Sequence, residues 1–422
     1  MKYQSYSLKN INKIENLKKL PIDIKESIQT VGSVLPFKSN NYVVEELIDW
    51  DNFEDDPIFT LTFPRKEMLD PIDYIRVKSC FGQNELRNLV TDIRTKLNPN
   101  PADQIEKNIP MLNGEIINGI QHKYSETMLV FPSKGQQCHA FCTFCFRWSQ
   151  FSGVKEEKFA LKNSEHMVAY LREHPEITDV LITGGDPMIM RASSLRVFID
   201  AILESGIKTV KTIRIGTKTL TFWPYRYLTD SDSSEILDLF KRVTDAGYHL
   251  SIMAHICHKN EMKTDAFKDA VKAIRNTGAI IRTQSPVMKH INDYSENWSE
   301  MWKEQVRLGM IPYYMFIARN TGSHRYFSIP LLRAYEIFKN AYMKVSGVAR
   351  TVRGPSMSAS PGKIVIDGII DIGNEKAISL SFIQGRNSEW VKQPFLAQYD
   401  EKAVWFDELK PAFDESKFFF QR

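Results

Sequence analysis

The feature that most constrains the fold of this chain is a regular alternation of apolar runs and helical stretches that begins near Thr127. About six such strand–helix units of roughly 30 residues each are typical of a parallel barrel or a doubly wound α/β sheet. Strands are predicted at residues 127–132, 179–183, 209–215, 250–254, 279–283 and 312–317. Helices are predicted between them near residues 162–174, 195–203, 232–243, 265–277 and 298–308. In such folds the chemistry lies at the carboxyl ends of the strands, so polar motifs that directly follow a strand are the candidate site residues.

The segments before and after this alternation have different sequence patterns. Residues 1–125 contain polar helical stretches with several prolines and asparagines, which predicts an N-terminal helical extension packed on the main domain. Residues 126–350 carry the strand–helix units, and residues 351–422 form a predicted β-rich C-terminal segment. Turns are predicted in that segment at Asp367-Gly368 and at Ile372-Gly373-Asn374. Earlier in the chain, Asp232-Ser-Ser-Glu235 predicts a capping box at the start of a helix.

The composition is that of a globular protein, with 43% hydrophobic and 25% charged residues. A net charge of +4 spread over 422 residues gives no strong case for a nucleic-acid partner. No apolar run approaches the roughly 20 residues needed to span a bilayer, and the N-terminus opens no apolar signal sequence. We therefore expect no membrane and no nucleic-acid partner, and a cytoplasmic location.

Three of the five cysteines, Cys138, Cys142 and Cys145, lie in one loop directly after the first predicted strand. Three thiolates are one too few for a closed structural zinc site, and they suit a [4Fe–4S] cluster with one iron left open. An open iron can bind S-adenosylmethionine and pass it an electron, which leaves a carbon radical. The alternative is a partial zinc site completed by His139 or by a distant residue. Against it, no second Cys or His pair at zinc spacing exists elsewhere in the sequence.

Gly184-Gly185-Asp186 follows the next predicted strand. Two glycines allow a backbone to approach a ligand closely, and the acid beside them can accept a hydrogen bond from an ammonium group. The alternative is an ordinary turn. Its place after the cysteine loop makes it a candidate for binding the amino group of S-adenosylmethionine.

Taken together, these motifs resemble the lysine 2,3-aminomutase family of radical S-adenosylmethionine enzymes. The resemblance runs in order from about residue 50 to 390, and it includes the cysteine loop, Gly184-Gly185-Asp186, Arg214-Ile-Gly-Thr, His255-Ile-Cys-His258, Gln284-Ser285 and Pro312-Tyr313-Tyr314. It implies a partial (β/α)6 barrel, a [4Fe–4S] cluster, S-adenosylmethionine and pyridoxal phosphate. It also implies a reaction in which an amino group migrates between adjacent carbons.

The resemblance implies roles for particular residues. Those expected to contact S-adenosylmethionine are Phe144, Arg147, Gly184, Gly185, Asp186, Arg214, His255 and Gln284. His255 and His258 could instead form a metal pair. Lys363, in Ser360-Pro-Gly-Lys363, corresponds to the lysine that binds pyridoxal phosphate, and Lys123 and Tyr124 are expected to help hold that cofactor. The alternative for Lys363 is a solvated surface lysine.

Two further positions bear on the substrate. Where lysine-acting members carry two aspartates that grip the distal ammonium group, this chain has Arg319 and Arg353. Two guanidinium groups disfavour an ammonium group and can hold a carboxylate. The resemblance therefore predicts a substrate with an anionic side chain, such as glutamate or aspartate, rather than lysine. The alternative is that both arginines form internal salt bridges.

The sequence thus predicts a pyridoxal-phosphate-dependent radical aminomutase acting on an anionic amino acid. The runner-up is a radical S-adenosylmethionine enzyme without pyridoxal phosphate that acts on another anionic metabolite, because Thr127 and Ile317 stand where the family has polar cofactor contacts. The family also implies a flavodoxin- or ferredoxin-like electron donor and a homo-oligomer. The C-terminal cysteine cluster of lysine-acting members is missing from the sequence, so no zinc is expected.

Overall fold

The structure is a computed structural model that describes residues 1–98, 106–151 and 159–421. Within these ranges, eleven strands form one continuous sheet whose spatial order follows the chain. In chain order, β1 to β11 are Ile120–Tyr124, Thr127–Val130, Asp179–Ile182, Thr212–Thr217, His249–His255, Ile280–Val287, Ile311–Ile317, Arg353–Ser358, Gly362–Ile372, Glu375–Gly385 and Pro394–Gln398.

The seven strands from β2 to β8 run parallel, each joined to the next through helices. The flanking strand β1 and the C-terminal strands β9 to β11 pair antiparallel. The two ends of the parallel run approach each other, because the Lys123 ammonium group on β1 donates to the carbonyl oxygen of Ala359 just after β8. The sheet therefore curves into an open barrel, and the predicted α/β class with about six strand–helix units is confirmed.

The helices α1 to α13 are Ile22–Val34, Pro57–Thr62, Pro71–Lys78, Gln83–Leu97, Trp148–Phe151, Glu165–Glu173, Ala192–Leu203, Thr219–Phe222, Ser233–Asp245, Asp265–Asn276, Ser295–Arg307, His324–Phe327 and Leu331–Met343. A π-helical turn spans Val43–Leu47. The helices from α6 onward cover the outer face of the sheet with apolar stripes. In α9 the buried residues recur at helical spacing, as predicted: Ile236, Leu239, Phe240 and Val243. Among the described residues, no helix is both long and apolar enough to cross a lipid bilayer.

Three local predictions are wrong. The strand expected to begin at Thr209 begins at Thr212. The helix after it does have Asp232 at its N-cap position, but no capping box forms. The Asp232 carboxylate instead accepts hydrogen bonds from the Arg226 guanidinium group and from the backbone N–H of Ala192, a charge-assisted arrangement that outweighs a local cap. Asp367-Gly368 makes no turn: it lies inside β9, where the pairing register shifts next to Gly368.

The second predicted turn is confirmed. Gly373, with φ of 63°, lies in the connection between β9 and β10. That backbone conformation favours glycine, which explains the residue type at this point of the hairpin.

The core has two parts. One lies between the sheet and its outer helices, and the other lies within the N-terminal extension. This second core includes residues of the cysteine loop, among them Ala140 and Trp148, so the extension and the loop pack together. The division at 125/126 stays a prediction, and that boundary falls within the β1–β2 hairpin.

Candidate functional site

The cysteine loop leaves the carboxyl end of β2 and ends in α5. Cys138, Cys142 and Cys145 are all free thiols and all partly buried. Burial raises the pKa of each thiol; the neighbouring cysteines add to the increase at Cys138, and the pKa of Cys145 rises to about 11. Three sulfurs gathered in one loop, each costly to ionise alone, fit a positively charged iron centre that would stabilise the thiolates.

Hydrogen bonds from the N-terminal extension hold this loop. The Lys38 ammonium group donates to the carbonyl oxygen of Cys138 at 2.7 Å. Asn40 Nδ2 and the Tyr3 hydroxyl both donate to the carbonyl oxygen of His139, at 3.2 and 2.8 Å. Sequence reasoning missed these residues, because about 100 residues or more separate the donors from the loop.

The two glycines of Gly184-Gly185 pack against the chain that leads into the cysteine loop. A Cβ atom added to Gly184 would lie 2.8 Å from the carbonyl oxygen of Gly135, and one added to Gly185 would lie 2.7 Å from that of Gln137. Such distances exclude any larger residue. The glycines are therefore explained by close packing of two backbones, whereas the sequence had predicted an approach to a ligand.

The Asp186 carboxylate belongs to the protein's own hydrogen-bond network, and its contact with the amino group of S-adenosylmethionine stays a prediction. It accepts from the hydroxyls of Thr217 and Thr219 and from the backbone N–H groups of Met188 and Lys218. Burial raises its pKa and these hydrogen bonds oppose the increase. Asp186 therefore ties the turn after β3 to the end of β4, and both of its oxygens are already bonded.

Phe144, His255 and Gln284 do come together, at the end of the barrel nearest the cysteines. The rings of Phe144 and His255 stack with centroids 5.7 Å apart. Gln284 on β6 is the register partner of His255 on β5. Burial and the nearby Lys218 hold the pKa of His255 well below its usual value, so this ring is neutral. Flat rings and an amide beside the thiols suit a flat, polar ligand.

Arg147, which follows the third cysteine, lies over two aromatic rings. Its guanidinium carbon is 4.3 Å from the ring centroid of Phe131 and 5.1 Å from that of Phe146. Burial lowers the pKa of Arg147 to about 10, so the side chain remains a cation at neutral pH.

A buried ion pair lies behind His255. The Lys218 ammonium group donates to Glu261, to the carbonyl oxygen of His255 at 3.2 Å and to the sulfur of Cys257 at 3.7 Å. Glu261 is fully buried and also accepts from the backbone N–H of His258. Burial opposes the charge of Lys218, but Cys257 and Glu261 raise its pKa above the ordinary value. The pair fixes the segment that follows β5.

His255 and His258 do not form a metal pair. His258 directs Nε2 toward the hydroxyl of Tyr294, at 3.0 Å, and its Nδ1 accepts from the backbone of Asn260. His255 stacks on Phe144 instead.

A second set of polar side chains surrounds Lys363, on β9 just after the Ser360-Pro361 turn. Its Nζ lies 4.2 Å from the ring centroid of Tyr314 and 3.2 Å from Oε1 of Gln384, to which it donates. Burial lowers the pKa of Lys363 to about 7, and the cations of Arg214, Arg353 and Lys123 act in the same direction. Lys363 is thus an inward-facing, readily deprotonated amine and not a solvated surface lysine.

Cations outnumber acids in this chamber around Lys363. Arg353 lies over Tyr313 and Tyr314, 4.2 and 4.5 Å from their ring centroids. The acid that acts on Lys363 is Asp179, and it is bonded to Arg214 at 2.8 Å. Among the described residues neither Lys363 nor Arg353 forms an ion pair with a carboxylate, so the chamber carries uncompensated positive charge.

The position of Arg214 differs from the prediction. It was expected beside S-adenosylmethionine, yet its guanidinium group is bonded to Asp179 and acts on Lys363. Arg214 occupies the third position of β4, and Asp179 is the first residue of β3, so both lie toward the amino ends of their strands. The cysteine loop follows the carboxyl end of β2. Arg214 therefore belongs to the chamber of Lys363.

Arg319 and Arg353 have different neighbours. The Arg319 guanidinium carbon lies 5.4 Å from the ring centroid of Phe146, and its charge acts on Tyr124 and Arg147. Arg353 lies against Tyr314 and acts on Lys363. The two arginines thus have different neighbours, and these contacts do not support the prediction that they bind one group as a pair.

Lys123 and Tyr124 on β1 close the chamber. The Lys123 ammonium group donates to Ala359 and lies 5.6 Å from the Tyr124 ring centroid. Arg386 donates to the carbonyl oxygen of Ser360 at 2.8 Å and so supports the turn that precedes Lys363. Sequence reasoning missed Arg386, Gln384 and Tyr314 as parts of the site, although Tyr314 lies in a quoted motif and the alternation of β7 could have revealed it.

One further group of metal-ligating side chains lies outside the chamber. Ligand atoms of His122, His174 and Glu176 lie within 4.8 Å of one another. Nδ1 of His122 lies 2.8 Å from the Tyr170 hydroxyl and its Nε2 lies 3.1 Å from the carbonyl oxygen of Ser125. Nδ1 of His174 lies 2.8 Å from Glu176.

Comparison with known proteins bears on the cysteine loop first. Residues 127–255 match the family model of a 4Fe-4S single cluster domain. This stretch contains all three cysteines and the Gly184-Gly185-Asp186 turn, so the part of the chain that carries the cysteine loop is similar to single-cluster iron–sulfur domains.

The similarity extends over nearly the whole chain. It is 29% identical to a putative L-lysine 2,3-aminomutase of Aquifex aeolicus over 97% of both chains. It is 23% identical to the L-lysine 2,3-aminomutase of Clostridium subterminale over 66% of this chain and 60% of that one. The chain is thus similar to lysine 2,3-aminomutases over nearly its whole length, and the resemblance predicted from its motifs is confirmed. Among solved structures, that of Streptococcus suis SuiB bound to S-adenosylmethionine aligns with a TM-score of 0.37 at 14% identity, over 63% of this chain and 54% of that one.

Proposed function

We propose that this protein is a radical S-adenosylmethionine aminomutase that uses pyridoxal phosphate and moves the amino group of an amino acid with an anionic side chain. The observation that carries the proposal is the chamber around Lys363, where a readily deprotonated amine lies near Arg353, which forms no ion pair with a carboxylate among the described residues. Positive charge without a carboxylate partner favours the binding of an anion. A phosphate group and a substrate carboxylate would provide that anion.

When bound, the cluster with S-adenosylmethionine would supply a carbon radical, and pyridoxal phosphate would supply the aldehyde that holds the substrate amine. Cys138, Cys142 and Cys145 would hold the cluster. Lys363, with a pKa of about 7, presents a neutral amine to a large extent at neutral pH, which is the nucleophilic form. Lys123 and Arg353 carry charges suited to phosphate and carboxylate groups, and the Tyr314 ring keeps water from one side of Lys363.

The same charges argue against lysine as the substrate. An ammonium group brought near Arg353, Arg214 and Lys123 would meet like charges, which costs several kcal/mol. Since 1.4 kcal/mol corresponds to a factor of ten, we expect glutamate or aspartate to exceed lysine in kcat/KM by about 10²-fold or more. Arg353 is the stronger candidate for the carboxylate contact, because it lies beside Lys363, whereas Arg319 lies on the cysteine side.

The test is an anaerobic assay of the reconstituted protein with S-adenosylmethionine, pyridoxal phosphate and a reductant, offering lysine, glutamate and aspartate in turn. Formation of the β-amino acid is followed by chromatography of derivatised amino acids. Arg353→Gln is expected to raise the KM for the acidic substrate by about tenfold, since a charge-assisted contact to the substrate carboxylate is lost. Arg333→Gln, on an exposed helix face, is the matched control and leaves KM unchanged.

Preference for lysine, or an unchanged KM in Arg353→Gln, would contradict the anionic substrate. Borohydride treatment after incubation with pyridoxal phosphate tests the second cofactor, because reduction would fix it to Lys363 and add its mass to that peptide. If no mass is added while iron and S-adenosylmethionine bind, the aminomutase hypothesis is wrong. The hypothesis of a radical enzyme without pyridoxal phosphate then takes its place.

A further inference from the structure

The N-terminal extension forms hydrogen bonds with the first residues of the cysteine loop through Lys38. Besides its side-chain bond to the Cys138 carbonyl oxygen, Lys38 uses its own carbonyl oxygen to accept from the backbone N–H of Phe141, at 2.8 Å. Ser39 and Asn40 come next, fully buried and paired with the strand Ser5–Tyr6. The backbone of Lys38 is therefore fixed from both sides, so its ammonium group has a defined place beside Cys138.

Lys38 differs from the other ammonium group near the loop. Lys218 is neutralised by Glu261. Among the described residues Lys38 has no carboxylate within ion-pair distance, and the charged group that acts on it is Cys138. Lys38 is also only half-buried, so a cation can persist there. Of these two ammonium groups near the loop, Lys218 is compensated by a carboxylate and Lys38 is not.

An uncompensated cation has a definite effect on a redox centre. Reduction adds a negative charge to an iron–sulfur cluster, and net charge and hydrogen bonding around the sulfurs set its potential. A nearby positive charge in a medium less polar than water stabilises the reduced form. We propose that Lys38 is a positioning residue for the cluster, which fixes the backbone of Cys138 and raises the cluster's reduction potential. This inference rests on the proposed function only in requiring a cluster at the three cysteines.

The test is a redox titration of the reconstituted protein, followed by electron paramagnetic resonance of the reduced cluster. Lys38→Met removes the charge and the donor, and Lys38→Arg keeps both. Lys25→Met removes a partly buried lysine of the same extension that donates to the carbonyl oxygen of Lys18. We expect Lys38→Met to lower the ratio of reduced to oxidised cluster at a fixed potential by about tenfold, which is ~59 mV for a one-electron couple. Lys38→Arg and Lys25→Met should titrate like the original protein.

Equal midpoints for Lys38→Met and the original protein, at equal iron content, would overturn the proposal, and so would an equal shift in Lys25→Met. If Lys38→Met takes up no cluster, iron content decides. If Lys38→Arg then binds a full complement of iron, the result supports the need for a cation at this position. If neither variant binds iron, the proposal is overturned, because the loss would depend on the shape of the side chain and not on its charge.

The outcome is separable from that of the proposed function. A shifted midpoint in a protein that moves no amino group supports the role of Lys38 and removes the aminomutase. If the protein moves an amino group but Lys38→Met leaves the midpoint potential unshifted, the aminomutase is supported and the role of Lys38 is overturned.

Discussion

The cysteine end of the barrel and the chamber around Lys363 treat charge in opposite ways. Near the cysteines, Asp186 is surrounded by hydrogen-bond donors and Lys218 is neutralised by Glu261. Around Lys363, cations of β4, β8 and β1 face one carboxylate, Asp179, which Arg214 already engages. Lys38, which has no carboxylate within ion-pair distance among the described residues, is an exception at the cysteine end.

This difference indicates what each region needs in order to be complete. The cysteine end has a satisfied framework and offers three thiols, so it is preorganised for a metal centre. Among the described residues, Lys363 and Arg353 form no ion pair with a carboxylate, so under the proposed function anionic ligands would complete the chamber. The two regions should therefore respond to mutation independently, and the predictions below test that separation.

The largest effect is expected from Cys138→Ala. Loss of one thiolate of three should abolish cluster assembly, so that iron content falls from about four atoms per chain to near zero and amino migration ceases. The cluster content is measured by iron and sulfide analysis after anaerobic reconstitution. Cys80→Ala, far from the loop in sequence, should load normally. If Cys138→Ala bound the full amount of iron, the cluster would not be held by this loop, and the contrast between the two regions would no longer stand.

Lys363→Met should lower the rate of amino migration by more than about 10³-fold, the scale on which removal of a covalent catalytic group acts. Cluster content should stay unchanged, because Lys363 contacts Tyr314 and Gln384 and none of the cysteines. Kinetics and iron analysis on one preparation check both parts. Lys376→Met, an exposed lysine on β10, is the control. Loss of iron in Lys363→Met would show that the two regions are coupled.

Asp186→Asn should destabilise the cluster-free protein by about 2 kcal/mol, because the amide NH2 would face donors that now bond a carboxylate oxygen. The midpoint of urea unfolding measures the effect. Asp238→Asn, on the exposed face of α9, should remain within about 0.5 kcal/mol of the original. If Asp186→Asn left the midpoint of urea unfolding unchanged, the internal hydrogen bonds of Asp186 would not be needed for stability. That result would favour the contact with a ligand that the sequence predicted.

The pattern of these contacts explains what the sequence could reveal. The parallel strands, the cysteine loop and the inward position of Lys363 follow from local periodicity and turn residues, which act over a few residues. The role of Asp186 does not, because a carboxylate after two glycines looks the same whether it faces a ligand or Thr217, 31 residues away. Arg214 and Lys38 were misplaced or missed for the same reason, since their partners lie 35 and 100 residues away.

The smallest effect concerns the protonation of Lys363. Burial and three cations hold its pKa at about 7 instead of the ordinary value near 10.4, so the neutral fraction should rise about tenfold between pH 6 and pH 8. Competitive labelling with trace acetic anhydride, quantified peptide by peptide, measures the reactive fraction, with exposed Lys376 as internal reference. Arg353→Gln removes one of the cations that depress this pKa, so the rise in reactivity should move to higher pH. A profile that rises only near pH 10 in the original protein would mean that the chamber is already balanced, and the contrast with the cysteine end would disappear.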